Sequence, residues 1–262
     1  DYTNASTRAI ALADLSGANL APTLGLQVLV SDVDRHVIVL GADPINSSAS
    51  ARTGAIDPLL IAFSDQENAA EWEPLSTNTA GSLRCSAGSQ IIGGIRARQE
   101  TLIWTDVALY SLQFIGAPLT FGLTLVNEGV SLIGPNSAVN TPSGIFWMDK
   151  KGFYSYQGAV QPVPCSVHSY VFDDFNEDQA FQVFGFVNKQ FNEVGWFYCS
   201  GSSTTIDRYV TYNYVDQTWS IGQLARTAWL DEGITSFPRA AGYDGTSNYI
   251  YSHETGFDDD GA

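Results

Sequence analysis

Basic residues are scarce: 12 Lys and Arg stand against 28 Asp and Glu, a formal net charge of −16. A protein that grips nucleic acid through phosphates needs the opposite surplus, so that class is excluded. Long apolar runs are also missing. Glycines and charges interrupt every stretch before it reaches the ~18–20 apolar residues of a membrane-spanning helix. Cysteine is limited to Cys85, Cys165 and Cys199, an odd count without metal-ligand spacing. That argues against a disulfide framework and for reduced thiols in strands. Asp1–Arg8 has neither the basic nor the apolar region of a signal peptide. What is present is 44% hydrophobic and 12% aromatic residue content, enough apolar surface to exclude intrinsic disorder.

The apolar residues come in short runs. His36–Leu40 and Leu59–Phe63 are bounded by turn residues, as strands are. Further strands are expected over Ser89–Ile95, Thr101–Trp104, Leu109–Phe114, Gly144–Met148, Phe153–Tyr156, Phe181–Asn188, Glu193–Cys199, Arg208–Tyr214 and Thr218–Ile221. Gly, Asp, Asn, Ser and Pro fill the connections, as hairpins require. Helical periodicity is weak, with single turns expected at Gln66–Glu71 and Glu177–Phe181. The fold class is therefore all-β, with residues 1–34 as an N-terminal arm or connecting segment and 35–262 as the main domain.

A repeat sharpens the architecture. Leu102-Ile103-Trp104-Thr105-Asp106 precedes Leu109-Tyr110-Ser111-Leu112-Gln113, and Ile145-Phe146-Trp147-Met148-Asp149 precedes Phe153-Tyr154-Ser155-Tyr156-Gln157. A looser copy is Val194-Gly195-Trp196-Phe197-Tyr198 with Arg208–Asn213, and a fourth hint is Ala241–Gly245 with Asn248–Tyr251. Successive tryptophans stand 43 and 49 positions apart, the period of four-stranded propeller blades. Each blade must stack on a neighbour to bury its faces, so Trp104, Trp147, Trp196 and Trp219 are expected in the packing. Tyr212–Trp219 reads as a hairpin with Asp216-Gln217 in its turn. The expectation is a β-propeller of four-stranded blades, as an incomplete circle or with an added arm or platform. The alternative is a large β-sandwich, which the long period disfavours.

Chemical motifs are sparse. There is no nucleophile elbow, zinc-protease helix, phosphate-binding Gly-rich loop or Cys-x-x-Cys. His36, His168 and His253 lie in separate segments without metal spacing. Carboxylates are the abundant reactive groups, so a glycosidase using Asp65, Glu67, Asp173, Asp174, Asp231 and Glu232 is the enzyme alternative. Ser64–Asn68 with Trp72 only faintly matches a sialidase-type Asp-box, lacking its turn glycine. Asp258–Gly261 lacks the spacing of a calcium loop. Asn4-Ala5-Ser6 and Asn46-Ser47-Ser48 match a glycosylation sequon that arises often by chance. No catalytic, cofactor-binding or metal-binding residue is assigned.

Several runs carry a family resemblance. Leu59–Asn68, Glu71–Pro74, Thr77–Gly81, Arg96–Glu100, Trp104–Asp106, Ser203–Val210 and Arg226–Asp231 resemble the tail nozzle proteins of short-tailed bacteriophages, also called tail hub or DNA-stabilisation proteins. The resemblance covers the chain from about residue 35 onward. It implies a non-enzymatic virion component with a β-propeller, forming a homo-oligomeric ring, commonly of six subunits. Such a ring continues the DNA channel below portal and adaptor, meets tail fibres or spikes, and assembles in the bacterial host cytoplasm. It also implies a longer full-length chain. An acidic channel wall would let DNA slide without adhering, whereas the same acidity also serves solubility. The Pro/Ser-rich segments Asp43–Ala55 and Gly134–Gly144 are long enough to be contact loops between copies, and read equally as disordered surface loops. The competing readings are a propeller carbohydrate-active enzyme, such as a phage depolymerase, and a glycan- or protein-binding propeller module.

Overall fold

The computed structural model describes residues 10–31, 34–231, 236–243 and 245–256. Asn4-Ala5-Ser6, Glu232, Asp244 and Asp258–Gly261 lie outside them. The chain divides into two compact units, Asp1–Ser131 and Leu132–Ala262.

In the first unit a 3-10 turn at Leu12–Asp14 precedes β1 (Gln27–Val30), β2 (Val37–Leu40), β3 (Ile45–Asn46), β4 (Ala51–Arg52), β5 (Leu60–Phe63) and β6 (Gly81–Arg84). The first blade runs β1-β2-β5-β6, with β3-β4 inserted as a small hairpin. A second blade follows with β7 (Ile91–Arg96), β8 (Thr101–Thr105), β9 (Ala108–Gly116) and β10 (Thr120–Glu128), all antiparallel to their sequence neighbours. β1 lies within the segment expected as an arm and pairs with β2 from Gln27↔Leu40 to Val30↔Val37.

The second unit holds a third blade of β11 (Ala138–Thr141), β12 (Gly144–Asp149), β13 (Gly152–Tyr156) and β14 (Val160–Val163). A short helix α1 (His168–Phe172) and a 3-10 segment (Glu177–Gln182) lead to the fourth. That blade is β15 (Phe184–Asn188), β16 (Glu193–Tyr198), β17 (Arg208–Asn213) and β18 (Thr218–Gln223). A three-stranded sheet of β19 (Ala228–Leu230), β20 (Arg239–Tyr243) and β21 (Asn248–Ser252) completes it. The fold is all-β, of the propeller class, built of consecutive four-stranded meanders.

Tryptophan marks the same strand in three blades. Trp104 in β8, Trp147 in β12 and Trp196 in β16 each occupy the second strand and are fully buried, so the sequence period is the blade-to-blade step. Trp219 is only half-buried, because β18 is an outer strand with an exposed face. It still packs on Phe153 at 4.6 Å and Tyr212 at 4.7 Å between centroids, joining the third and fourth blades.

Polar side chains stitch neighbouring blades as well. Trp196 donates its indole N–H to Ser137 O at 2.8 Å, Trp219 to Pro164 O at 2.8 Å and Trp229 to Val187 O at 3.0 Å. In the first unit Gln27 acts as a backbone mimic. Its Nε2 donates to Gly94 O at 3.0 Å while its Oε1 accepts from Gly94 N–H at 2.7 Å. Glycine is required at 94 because a Cβ there would stand 2.8 Å from Leu40 Cδ1 and 3.1 Å from Leu102 O.

Three expectations need correction. The strand expected over Phe181–Asn188 begins only at Phe184, since the preceding residues close a 3-10 turn capped by the Asn176 side chain. Gly134–Gly144 is not one loop, because β11 occupies Ala138–Thr141 and pairs with β12. Asp43–Ala55 likewise contains the β3-β4 hairpin.

Candidate functional site

Among the described residues, the carboxylates singled out in the sequence are each engaged in local structure. Asp65 accepts the Thr79 N–H at 2.8 Å and the Thr79 hydroxyl at 2.6 Å. Burial alone would raise its pKa, but these bonds outweigh burial and hold it below the usual range. Glu67 pairs with Arg35 on the surface. Asp173 closes α1 through its backbone N–H, Asp174 pairs with Arg208 at 3.0 Å, and Asp231 pairs with Lys189 at 2.9 Å. Glu232 lies outside the described residues.

The histidines are structurally engaged too. Buried His36 places Nε2 3.1 Å from Thr79 Oγ1, giving a His-Thr-Asp chain that superficially suggests a nucleophile. The Thr79 hydroxyl proton is committed to Asp65, however, and its oxygen accepts the Gln66 N–H at 2.9 Å. His36 Nε2 is therefore a donor, so the imidazole does not serve Thr79 as a base, and the hydroxyl rests on a carboxylate of low basicity. His168 Nε2 lies 3.1 Å from Lys151 O. Among the described residues no three His, Cys, Asp or Glu cluster in a metal-binding arrangement, and no helix is long and apolar enough to cross a membrane.

Among the described residues, a concavity is found in each unit. In the first, a cleft of about 390 Å³ lies by the β7-β8 and β1-β2 turns, lined by Asp34, Arg96, Arg98, Glu100 and Gln113 among others. Glu100 accepts from the Ser111 hydroxyl and, at 3.2 Å, from Gln113 Nε2. Asp34 accepts from the Ser31 hydroxyl at 2.9 Å. Its acids are thus positioned acceptors within the turns.

In the second unit, a smaller pocket of about 230 Å³ opens between the fourth blade and the three-stranded sheet. Its walls are aromatic. Phe186 lies 4.7 Å from Trp229 and 4.8 Å from Phe197, with Tyr209 5.8 Å from Phe197. Its polar lining includes Asn188, Glu193, His253 and Glu254. Asn188 donates Nδ2 to Glu254 Oε1 at 3.0 Å. Burial first, and then the charge of Glu254, raise the pKa of Glu193. Arg226 Nε donates to His253 Nε2 at 3.0 Å, which leaves the proton of a neutral His253 on Nδ1. Glu254 itself sits at φ +59, a left-handed conformation that costs a non-glycine residue ~1 kcal/mol or more. The sequence reading missed Glu193 and Glu254. The usable signal was Trp229, noted there only within a longer run.

No protein-family model and no curated protein matches the chain. Among solved structures, the chain is similar to the dihydro-heme d1 dehydrogenase NirN in complex with DHE, at TM-score 0.46 and 10% identity. That alignment covers 87% of this chain and 45% of NirN. It is also similar to the extracellular domain of the one-component system BT4673 from B. thetaiotaomicron, at TM-score 0.44 and 10% identity. Here 91% of this chain and 33% of the other are covered. The chain therefore spans less than half the length of either, and neither likeness bears on ligands or partners.

Proposed function

We propose that this chain is a non-enzymatic structural subunit of a bacteriophage tail, a nozzle or hub protein. It assembles into a homo-oligomeric ring, expected as a hexamer, that continues the DNA channel below portal and adaptor and helps retain and conduct DNA. Its location is the virion, after assembly in the host cytoplasm.

The observation that carries this reading is the apolar character of outward positions on outer strands. In β1 the alternate residues facing water are Val28 and Val30, 59% and 54% exposed. In the last sheet Leu230 is 64% and Ile250 76% exposed. Outer strands left in water carry charges or prolines against unwanted pairing, so such faces favour burial by another copy. A heterologous contact whose rotation closes yields a ring. The sequence resemblance supplies the phage context.

The acid excess supports a conduit that repels the phosphate backbone. Asp43, Asp65, Asp106 and Asp207 each hold a Ser or Thr in a connection, and of these only Asp43 is fully buried. Negative-stain imaging together with a reducing-sugar assay on host polysaccharide tests the proposal. Rings without sugar release support it; an isolated subunit that cleaves polysaccharide overturns it.

A further inference from the structure

The pocket of the second unit has a chemistry that a conduit role leaves unused. Two carboxylates, Glu193 and Glu254, share it, and no Lys or Arg is among its lining residues. Asn188 is only 2% exposed, and its Nδ2 is committed to Glu254. That fixes Oδ1 as a buried acceptor, and among the described residues it has no partner. An unmatched buried acceptor costs about 1–3 kcal/mol, so a site that retains one calls for a donor from outside. Phe186, Phe197, Tyr209 and Trp229 supply π-faces around these acceptors, the arrangement that attracts an organic cation. Negative charge is the distinctive feature of the lining, whose uncharged donors include the hydroxyls of Tyr209, Thr211 and Ser220 and the His253 ring.

We propose that this pocket binds an organic cation of the alkylammonium class, whose charged nitrogen meets Glu193, Glu254 and Asn188 Oδ1 while its methylenes lie on Trp229 and Phe197. The volume of about 230 Å³ is below the ~300–1,000 Å³ usual for drug-sized ligands, which fits one extended alkylammonium chain. Two sources present this chemistry: a lysine side chain on a partner protein, or a free amine. The backbone strain at Glu254 is consistent with a residue held for binding. The inference is independent of the ring proposal, since an ammonium site is equally compatible with a monomer.

The test is a titration of the intact protein with n-butylammonium, read by calorimetry and tryptophan fluorescence, with 1-butanol as the neutral isostere. Saturable binding of the amine, absence of butanol binding, and at least tenfold weakening in both Glu193→Gln and Glu254→Gln are expected. Nα-acetyl-lysine methylamide and 1,5-diaminopentane form the two source arms. Tighter binding of the lysine derivative assigns a protein side chain, and tighter binding of the diamine assigns a free amine. Binding unchanged in the double glutamine variant overturns the proposal. So does no ammonium binding to the folded wild type, or preferential binding of a neutral methyl glycoside.

Discussion

Ser89 places both of its donors on Asp106: the backbone N–H reaches Oδ1 at 2.7 Å and the hydroxyl reaches Oδ2 at 2.6 Å. Asp106 is the acid of the Trp-x-Asp turn between β8 and β9, and Ser89 leads into β7, so one carboxylate fixes both ends of a blade hairpin. Ser200 and Asp207 repeat the device at 2.8 and 2.5 Å. Thr23 does the same to buried Asp43. Asp106→Ala is expected to cost about 1–3 kcal/mol, because two donors lose a charged acceptor. Asp106→Asn keeps one oxygen and loses less. Urea unfolding of the two variants checks the order.

The Gln27–Gly94 pair permits a sharper comparison. Gln27→Glu keeps the shape and the bond from Gly94 N–H, but sets a carboxylate oxygen against Gly94 O where Nε2 now donates. The expected loss is about 1–3 kcal/mol. Gly94→Ala should cost a similar amount through overpacking against Leu40 and the Leu102 carbonyl. Thermal unfolding of both variants and of the double variant, whose effects should not add, tests whether they report one contact.

Acid should destabilise the first unit in two stages. Burial lowers the His36 pKa below its ordinary 6.5, partly offset by Asp34 and Asp65. The folded state therefore binds fewer protons than the unfolded state, and stability falls as pH drops below 6.5, by at most about 1.4 kcal/mol per pH unit. Asp57, Asp65 and Asp106 are held below the ordinary 3.8. Their stabilisation is present above that pH and is lost as pH falls through the folded values. In the second unit Glu193, with a raised pKa, works in the opposite direction. His36→Phe, placed among Phe63, Phe114 and Phe121, should remove the first stage and leave the second, as followed by denaturant midpoints from pH 7 to 3.

The thiols should be inert until the chain unfolds. Burial pushes Cys85 up to about 12 and Cys199 up to about 11, and raises half-buried Cys165 as well. Thiolate is the reactive form. A disulfide reagent at pH 8 should label none of the three rapidly in native protein and all three in denaturant. Rapid labelling of Cys85 in the native state would contradict its burial.

Blade-forming strands were legible in proportion to how fully they are buried. β5, β8, β12 and β16 are apolar runs enclosed on both faces, so their hydrophobicity stands out in the chain. The outer strands β6 and β14 read Gly-Ser-Leu-Arg and Val-Gln-Pro-Val, with alternating or edge-tolerant residues that local pattern does not separate from loop. β1, Gln-Val-Leu-Val, was hidden differently, as a short apolar run at the end of an ambiguous segment rich in Ala, Leu and Ser. The pocket was less legible still. Glu193 opens a strand and Glu254 follows another, and only pairing of β15 with β16 and docking of the last sheet bring them near Asn188. Acids counted by composition likewise gave no hint that Asp43, Asp65, Asp106 and Asp207 serve as internal acceptors.

The proposed ring is tested most directly by the mass of the protein in solution, measured by size exclusion with light scattering on wild type and on a Val28→Ser, Val30→Ser, Ile250→Ser variant. Wild type is expected as a single closed multiple of the 28.3 kDa protomer, with the folded variant reduced to protomers. A wild type that stays a single protomer at every concentration would contradict the account.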